Sequence, residues 1–227
     1  MDSDLQVISL IKDEIPSRLE QFLKDKNWHS YMCQIFAILQ EKKIDRTEIY
    51  GAIADIPEIE GTTLLVKTLD KLGYDIIIIS DSNHIFIENW LDAHKLDKFV
   101  KKIFTNPAFY DKSERLNVVP YQSQTECNLC PRNLCKGSIL TEYIKISKKN
   151  GLVFDKVIYI GDGGNDFCPM LRLRKSDIAC PKLGCEIFTV IDLFAYTRNP
   201  DVIIKAVIRP WLNAYDVLKV VQDLTRK

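Results

Sequence analysis

Two carboxylates lie four residues apart at a point where an apolar run gives way to glycines. The run covers residues 157–160, and Gly-Asp-Gly-Gly-Asn-Asp follows it over residues 161–166. A buried parallel strand ending in such a turn would place both carboxylates at its carboxyl end, where open α/β sheets bind ligands. Carboxylate oxygens suit Mg²⁺, which also retains water ligands. We therefore predict that Asp162 and Asp166 bind Mg²⁺; the alternative is that Asp162 begins a turn and Asp166 caps a helix.

Three further polar side chains could act together with this pair. Ser80 and Asp81 follow the strongly apolar residues 74–79, and Lys136 precedes a predicted helix. A hydroxyl, an ammonium group and a metal held by carboxylates can together bind a phosphate group. Parallel strands would bring these side chains to one edge of the sheet. Taken singly, each has an ordinary alternative, because Ser80 can begin a turn, Asp81 can cap a helix and Lys136 can be a solvated surface charge.

Strands and helices alternate through the larger part of the chain. The pattern predicts strands over residues 74–79, 100–105, 157–160, 177–180 and 202–208, with helices over 62–72, 84–96, 137–149, from 166 and from 210. This alternation indicates an α/β fold with a doubly wound parallel sheet. Residues 1–55 show helical periodicity instead, and Asp45 with Glu48 has the spacing of a capping box. We predict a helical cap segment over residues 1–60 and an α/β core over residues 61–227.

The composition narrows the class of protein. The 227 residues are 46% hydrophobic and 27% charged, and 31 basic residues balance 31 acidic ones. A balanced charge disfavours binding to nucleic acid or to an anionic membrane. We expect neither a secretory signal nor a membrane-spanning helix, because the N-terminal residues are acidic and no apolar run reaches the roughly 20 residues that a span needs. Seven cysteines, an odd number, favour a reducing compartment, so we predict a cytoplasmic protein.

A cysteine-rich stretch lies between the second and third predicted strands. Cys127, Cys130 and Cys135 are close enough in sequence to hold zinc, which binds Cys thiolates. A fourth ligand is not in view, since no histidine lies nearer than His94. The alternative is that these cysteines are small buried apolar residues within a loop.

Several stretches together resemble one known family. They are Ile-Ile-Ser-Asp-Ser-Asn over residues 78–83, Phe-Thr-Asn-Pro over 104–107, Cys-Asn-Leu-Cys-Pro-Arg-Asn-Leu-Cys-Lys over 127–136, and Tyr-Ile-Gly-Asp-Gly-Gly-Asn-Asp-Phe-Cys-Pro over 159–169. The chain resembles the haloacid-dehalogenase-like phosphatases, and among them the phosphoethanolamine/phosphocholine phosphatase and pyridoxal phosphate phosphatase family. The resemblance covers essentially the whole chain.

The resemblance implies roles for individual residues. In such phosphatases, which form an aspartyl-phosphate, the residue matching Ser80 binds phosphate and the one matching Lys136 steadies the nucleophile and the phosphate. We therefore expect Ser80 and Lys136 to be catalytic residues. The residues matching Asp4 and Asp81 contact the substrate, and the one matching Asp162 binds Mg²⁺. The implied partner is a small phosphorylated metabolite.

The chain departs from the family at its first residues. Members begin with a strand ending in Asp-x-Asp-x-Thr, which supplies the nucleophile and the general acid, whereas the opening Met-Asp-Ser-Asp of this chain resembles only a later stretch. Asp2 and Asp4 have the spacing of the catalytic pair but lack the strand. We expect the first core strand to be absent, with the strands over 74–79 and 157–160 either paired directly or separated by a gap. The chain as printed would then be incomplete, poorly stable and inactive.

Three functions follow from these observations. The first is a Mg²⁺-dependent phosphatase that hydrolyses small phosphomonoesters such as pyridoxal phosphate, phosphoethanolamine or phosphocholine. The second is a non-catalytic relative that binds metal and phosphate, and the third is a zinc-stabilised interaction module. We predict the first, with the helical cap over the site and Asp4 at its hinge.

Overall fold

Ten α-helices and seven strands make up the described part of the chain. The computed structural model describes residues 3–24, 27–197 and 202–225. In chain order the elements are α1 (Ser3–Ile8), α2 (Glu20–Lys24), α3 (Trp28–Glu41), α4 (Arg46–Ala54), α5 (Thr62–Lys71), β1 (Ile77–Asn83), α6 (His84–Ala93), β2 (Lys102–Asn106), β3 (Ala108–Tyr110), β4 (Leu116–Val118), α7 (Lys136–Lys149), β5 (Ile158–Gly161), α8 (Phe167–Leu171), β6 (Ile178–Pro181), α9 (Glu186–Thr197), β7 (Val207–Ile208) and α10 (Ala214–Thr225). None of these helices combines the length and the apolar character needed to cross a membrane.

The chain forms two compact units, and each is discontinuous in sequence. The first unit comprises Met1–Glu58 and Ile76–Ser123, and the second comprises Ile59–Asp75 and Gln124–Lys227. These bounds differ from a division at residue 60, because β1, α6, β2 and the β3–β4 hairpin group with the N-terminal helices. The reason is a shared apolar core, in which Phe86 of α6 and Leu116 of β4 are buried with Ile35 and Leu39 of α3.

Helices dominate the N-terminal part of the first unit, as the periodicity of the sequence predicts. The Asn27 side chain caps α3 by accepting a hydrogen bond from the Ser30 N–H. The predicted capping box of α4 is confirmed, since Asp45 accepts from the Glu48 N–H and Glu48 accepts from the Asp45 N–H. In the same unit β1 pairs in parallel with β2, while β3 and β4 form an antiparallel hairpin.

A parallel three-stranded sheet is the centre of the second unit. Its strand order is β5-β6-β7, and both pairs are parallel. Helices α5 and α10 pack together beside it around Leu65, Val217 and Val221. Trp211 is buried and its indole N–H donates to the Cys180 carbonyl. Tyr215 at the start of α10, by contrast, is 40% exposed.

The alternation of strands and helices, and the parallel pairing, are confirmed. Within the described ranges β1 pairs only with β2 in the first unit, and β5 pairs only with β6 in the second. Each of these two strands thus has one edge with no described strand beside it.

Several element bounds differ from the prediction. Strand β1 begins later than residue 74 and continues through residues 80–83, where its register with β2 is irregular. The last strand covers only two residues of the predicted 202–208. The predicted irregular stretch after residue 107 contains the β3–β4 hairpin, and helix α9 was not predicted at all.

Candidate functional site

A buried ion pair lies at the centre of the second unit's polar cluster. The Lys136 Nζ donates to Asp166 Oδ1 at 2.8 Å, and the two residues are only 8% and 3% exposed. Lys136 is the first residue of α7, and Asp166 ends a 3₁₀ turn that leads into α8. The Tyr159 hydroxyl donates to the same Oδ1 at 2.7 Å. Burial, and then the charge of Asp166, raises the pKa of Tyr159, so the phenol remains a donor.

The other oxygen of Asp166 shapes the turn after β5. Asp166 Oδ2 accepts hydrogen bonds from the backbone N–H groups of Asp162 and Gly163, each at 3.0 Å. The carboxylate therefore accepts four hydrogen bonds, two on each oxygen. A carboxylate has about four lone-pair positions, so Asp166 is fully used by protein donors. Asp166 therefore orders the backbone of the turn.

Gly161 allows this close approach. A Cβ at position 161 would lie 2.5 Å from Asp166 Cγ and 2.7 Å from Asp166 Oδ2. Those distances are well inside van der Waals contact, so only glycine fits between β5 and the Asp166 carboxylate. At the next positions, Gly164 donates its backbone N–H to Glu186 Oε2 at 3.0 Å, and the Asp162 carbonyl accepts from the Ile187 N–H. The turn is thus fixed on its other side by the start of α9.

Asp162 differs from Asp166 in its exposure and its hydrogen bonding, and these properties decide whether a carboxylate can bind a ligand. Its side chain is exposed. Its carboxylate has no hydrogen bond or ion pair to any residue in the described ranges. The backbone around it is held by Asp166 and by Ile187. The structure therefore presents one carboxylate on a rigid turn, and the lone pairs of its oxygens are available to bind a metal ion.

The first unit contains the other predicted site residues. Ser80 lies in the irregular part of β1, where its Oγ accepts from the Ser82 N–H at 3.2 Å. The buried Asn106 side chain donates to the carbonyls of Asp81 and Ser82 at 2.6 and 2.8 Å, and its Oδ1 accepts from the Tyr121 N–H. These bonds stabilise the irregular end of β1 and fix the backbone of Ser80 and Asp81.

Asp4 is connected to the same end of β1. Its helix begins at Ser3, whose Oγ lies 2.9 Å from Ser82 Oγ. Asp4 itself is buried, and its Oδ2 accepts from the Trp28 indole N–H at 2.6 Å. The structure therefore brings Asp4, Ser80 and Asp81 into one neighbourhood of the first unit. Asp2, the other member of the alternative catalytic pair, lies outside the described residues.

Four thiols converge in the second unit. The sulfur atoms of Cys127, Cys130, Cys135 and Cys168, here called the thiol cluster, all lie within 4.8 Å of one another. All four are free thiols. Hydrogen bonds from the other three thiols, that of Cys130 first, lower the pKa of Cys168. Cys168 is the member that the sequence reasoning missed, although it stands two residues after Asp166 in the glycine-rich motif.

The site residues thus fall into two described groups. Lys136, Asp162 and Asp166 are together in the second unit, as predicted, with Tyr159 and Glu186 as additional members that the sequence did not reveal. Tyr159 sits in an apolar strand, and Glu186 lies in a segment for which no helix was predicted. No pattern of residue types singled out either one.

The comparisons with known proteins address the whole chain. A family model described as "Putative Phosphatase" matches residues 1–225. The pyridoxal phosphate phosphatase of Mus musculus is 32% identical over 228 residues, which cover 99% of this chain and 93% of that protein. The phosphoethanolamine/phosphocholine phosphatase of Gallus gallus is 31% identical over 215 residues, covering 94% of this chain and 79% of that protein.

A solved structure agrees in fold. It is a phospho-aspartyl intermediate analogue of phosphoserine phosphatase, with a TM-score of 0.59 and 17% identity over 96% of this chain and 91% of that chain. At this identity the likeness shows the haloacid-dehalogenase-like fold. Together with the family model and the two relatives, it shows that the chain belongs to the "Putative Phosphatase" family and is, by that membership, a phosphomonoester hydrolase.

Proposed function

We propose that this protein is a Mg²⁺-dependent phosphatase that acts on small phosphomonoesters. The observation that carries the proposal is the buried Lys136–Asp166 pair, which holds a cation at the head of a helix beside a rigid turn with an exposed carboxylate. Pyridoxal phosphate, phosphoethanolamine and phosphocholine are the substrates to test, because the two relatives are named for them.

The residues of the turn fit Mg²⁺. Mg²⁺ prefers one or two carboxylates with several waters, and Asp162 supplies an exposed carboxylate on a fixed backbone. Asp166, whose oxygens already accept four hydrogen bonds, acts instead by orienting that backbone and the Lys136 ammonium. When bound, the ion would neutralise charge on phosphate oxygens.

The remaining residues have roles as phosphate and substrate contacts. The Lys136 ammonium attracts the phosphate dianion, and Asp166 keeps it at one position. Ser80 supplies a hydroxyl from the bulged end of β1, and Asp81 and Asp4 contact the organic part of the substrate. Residues 1–60 act as a helical cap, with Asp4 at its hinge. We further propose a cytoplasmic protein whose partners are small metabolites rather than nucleic acid or membranes.

A second candidate is a relative that binds metal and phosphate without turnover. The sequence contains no Asp-x-Asp-x-Thr. Asp4 is buried and accepts a hydrogen bond from the Trp28 indole, so its carboxylate is poorly placed to attack phosphorus. This observation favours binding without turnover for the chain as printed.

One experiment separates the two candidates. Phosphate release from the three substrates is measured with and without Mg²⁺, for the chain as printed and for the chain preceded by a strand ending in Asp-x-Asp-x-Thr. We expect Mg²⁺-dependent release from the extended protein and little from the printed chain. Absence of release from both would refute the phosphatase proposal. Robust release by the printed chain would show that one of its own carboxylates serves as the nucleophile.

The metal assignment has its own test. Asp162→Asn should weaken Mg²⁺ binding in a calorimetric titration, since it removes the charge from a hard-ion site. Asp223→Asn, which changes an exposed acid on α10, is the matched control and should leave the affinity unchanged. Equal affinities for the two variants would refute the assignment of Asp162.

A further inference from the structure

The thiol cluster has the dimensions of a metal site. Cys127 Sγ and Cys135 Sγ lie 3.6 and 3.9 Å from Cys168 Sγ. In a tetrahedral site with zinc–sulfur bonds of about 2.3 Å, neighbouring sulfurs are about 3.8 Å apart. A disulfide would require about 2.0 Å, and all four thiols are free. Packing of small apolar residues, the alternative weighed from the sequence, gives no reason for four sulfurs to converge on one point.

The loop before α7 is built to present its sulfurs. The Gln124 amide donates to the carbonyls of Cys127, Cys130 and Pro131, and its Oε1 accepts from the Cys127 N–H. The Gln124 side chain therefore holds the loop backbone in place of the hydrogen bonds that a helix or strand would supply. The backbone N–H of Leu129 also donates to the Cys127 sulfur, so this hydrogen bond fixes the position of that thiol.

The sulfurs of the helical segments are packed tightly against each other. The Ser138 N–H donates to Cys135 Sγ at 3.5 Å. A Cβ on Gly137 would lie 2.5 Å from Cys168 Sγ, so only glycine at the second residue of α7 allows Cys168 to reach the cluster. Cys135 and Cys168 are both buried. Cys127 and Cys130 are partly exposed, but four protein ligands would complete a tetrahedral site and leave no position for a substrate.

We propose that the thiol cluster binds one zinc ion through four cysteine thiolates, as a structural site distinct from the Mg²⁺ site. Zinc binding displaces the thiol protons into solvent, and the divalent ion with four thiolates carries a net charge of −2. A site with four protein ligands and no open position is structural rather than catalytic.

The position of the cluster in the chain gives it a second consequence. Cys135 immediately precedes Lys136, and Cys168 follows Asp166 by two residues. The zinc ion therefore fixes the starts of α7 and α8 to each other and to the loop. In this way it positions both members of the buried ion pair without touching them.

Metal content is the direct measurement. The full chain, expressed with zinc and dialysed against metal-free buffer, should contain about one zinc ion per chain, as measured by inductively coupled plasma mass spectrometry. Cys168→Ser should lose most of that zinc, since it removes a ligand. Cys185→Ser changes a half-buried cysteine of the same unit outside the cluster and is the matched control that should retain it.

A titration of the unaltered protein covers the case in which Cys168→Ser fails to fold. Adding an organic mercurial should release zinc to a chromogenic indicator as the thiols of the cluster are consumed. Chelation should lower the unfolding temperature, and added Zn²⁺, but not Mg²⁺, should restore it. Iron or no metal in the purified chain, a disulfide within the cluster, equal zinc in the two variants, or zinc release without thiol consumption would each overturn the proposal.

Discussion

Replacing Lys136 by methionine tests the buried ion pair most directly. Methionine retains much of the length and the apolar stem of lysine but removes the ammonium group. Asp166 would then keep a buried charge, 3% exposed, with the Tyr159 hydroxyl and two backbone N–H groups as its only donors among the described contacts. Breaking a buried pair by removing one partner costs about 3–5 kcal/mol.

That magnitude is large against the whole stability of a domain. Net free energies of unfolding are about 5–15 kcal/mol, so the variant would lose a large share. For a chain of this size, 1 kcal/mol corresponds to about 2–4 °C in the unfolding temperature, which predicts a fall of about 6–20 °C. The matched control is Lys145→Met on the same helix, where the side chain is 60% exposed and the Glu142 pair is long at 3.4 Å. This control should change the free energy by less than about 0.5 kcal/mol.

The assay is thermal and urea unfolding followed by circular dichroism for the wild type and the variants. A double variant, Lys136→Met with Asp166→Asn, removes both charges. It should be less destabilised than the sum of the two single variants, because the unpaired charge is gone. Equal unfolding temperatures for Lys136→Met and Lys145→Met would show that the pair does not stabilise the turn. Strict additivity in the double variant would show that an unpaired charge is not the cause of the loss.

Two further substitutions extend these tests. Gly161→Ala should destabilise by about 1–3 kcal/mol or more, because its Cβ would meet the carboxylate of Asp166 at 2.5–2.7 Å. Gly51→Ala, in an open position of α4, should instead stabilise the protein by about 0.5–1 kcal/mol. Unfolding temperatures that move in the same direction for the two variants would contradict these predictions. Burial acts to raise the pKa of Asp177, but hydrogen bonds, mainly from Arg174, outweigh it and lower the pKa. Its contribution to stability is therefore present above the unfolded pKa of about 3.9 and lost as the pH falls through the lower folded value. Asp177→Asn should be less stable at neutral pH and should lose less stability than the wild type below about pH 4; parallel curves would refute this.

The alternation of apolar strands and amphipathic helices was sufficient to predict the parallel α/β fold. It did not predict the β3–β4 hairpin, because each of its strands is only three residues long and carries no periodic pattern. It also misplaced the start of β1 by three residues. The strand continues through residues 80–82, where Asn106 binds the carbonyls of Asp81 and Ser82, which is a contact between segments far apart in sequence.

The sequence predicted Lys136, Asp162 and Asp166 as members of the candidate site, but it did not predict Tyr159 or Glu186 or the directions of the side chains. Spacing placed Asp162 and Asp166 on one turn and made them equivalent. The backbone of the 3₁₀ turn then directs Asp166 inward, toward Lys136, and leaves Asp162 exposed. The same limit applies to the thiol cluster. Cys168 is 33 residues from Cys135 along the chain, so only the packing of α7 on α8 shows that they meet.

The pairing of α5 with α10 has a consequence for synthesis on the ribosome. Helix α5 is made early, yet its apolar face is covered by the last helix of the described chain, and the Ala214 N–H donates to the Glu60 carbonyl at the junction. The second unit therefore cannot complete its core until α10 has been made, whereas the described segments of the first unit, which end at residue 123, have all emerged earlier. During that interval Leu65 and its neighbours remain exposed in the nascent chain, a state in which partly folded proteins aggregate. Slow elongation beyond residue 123 would lengthen this interval without altering the finished protein.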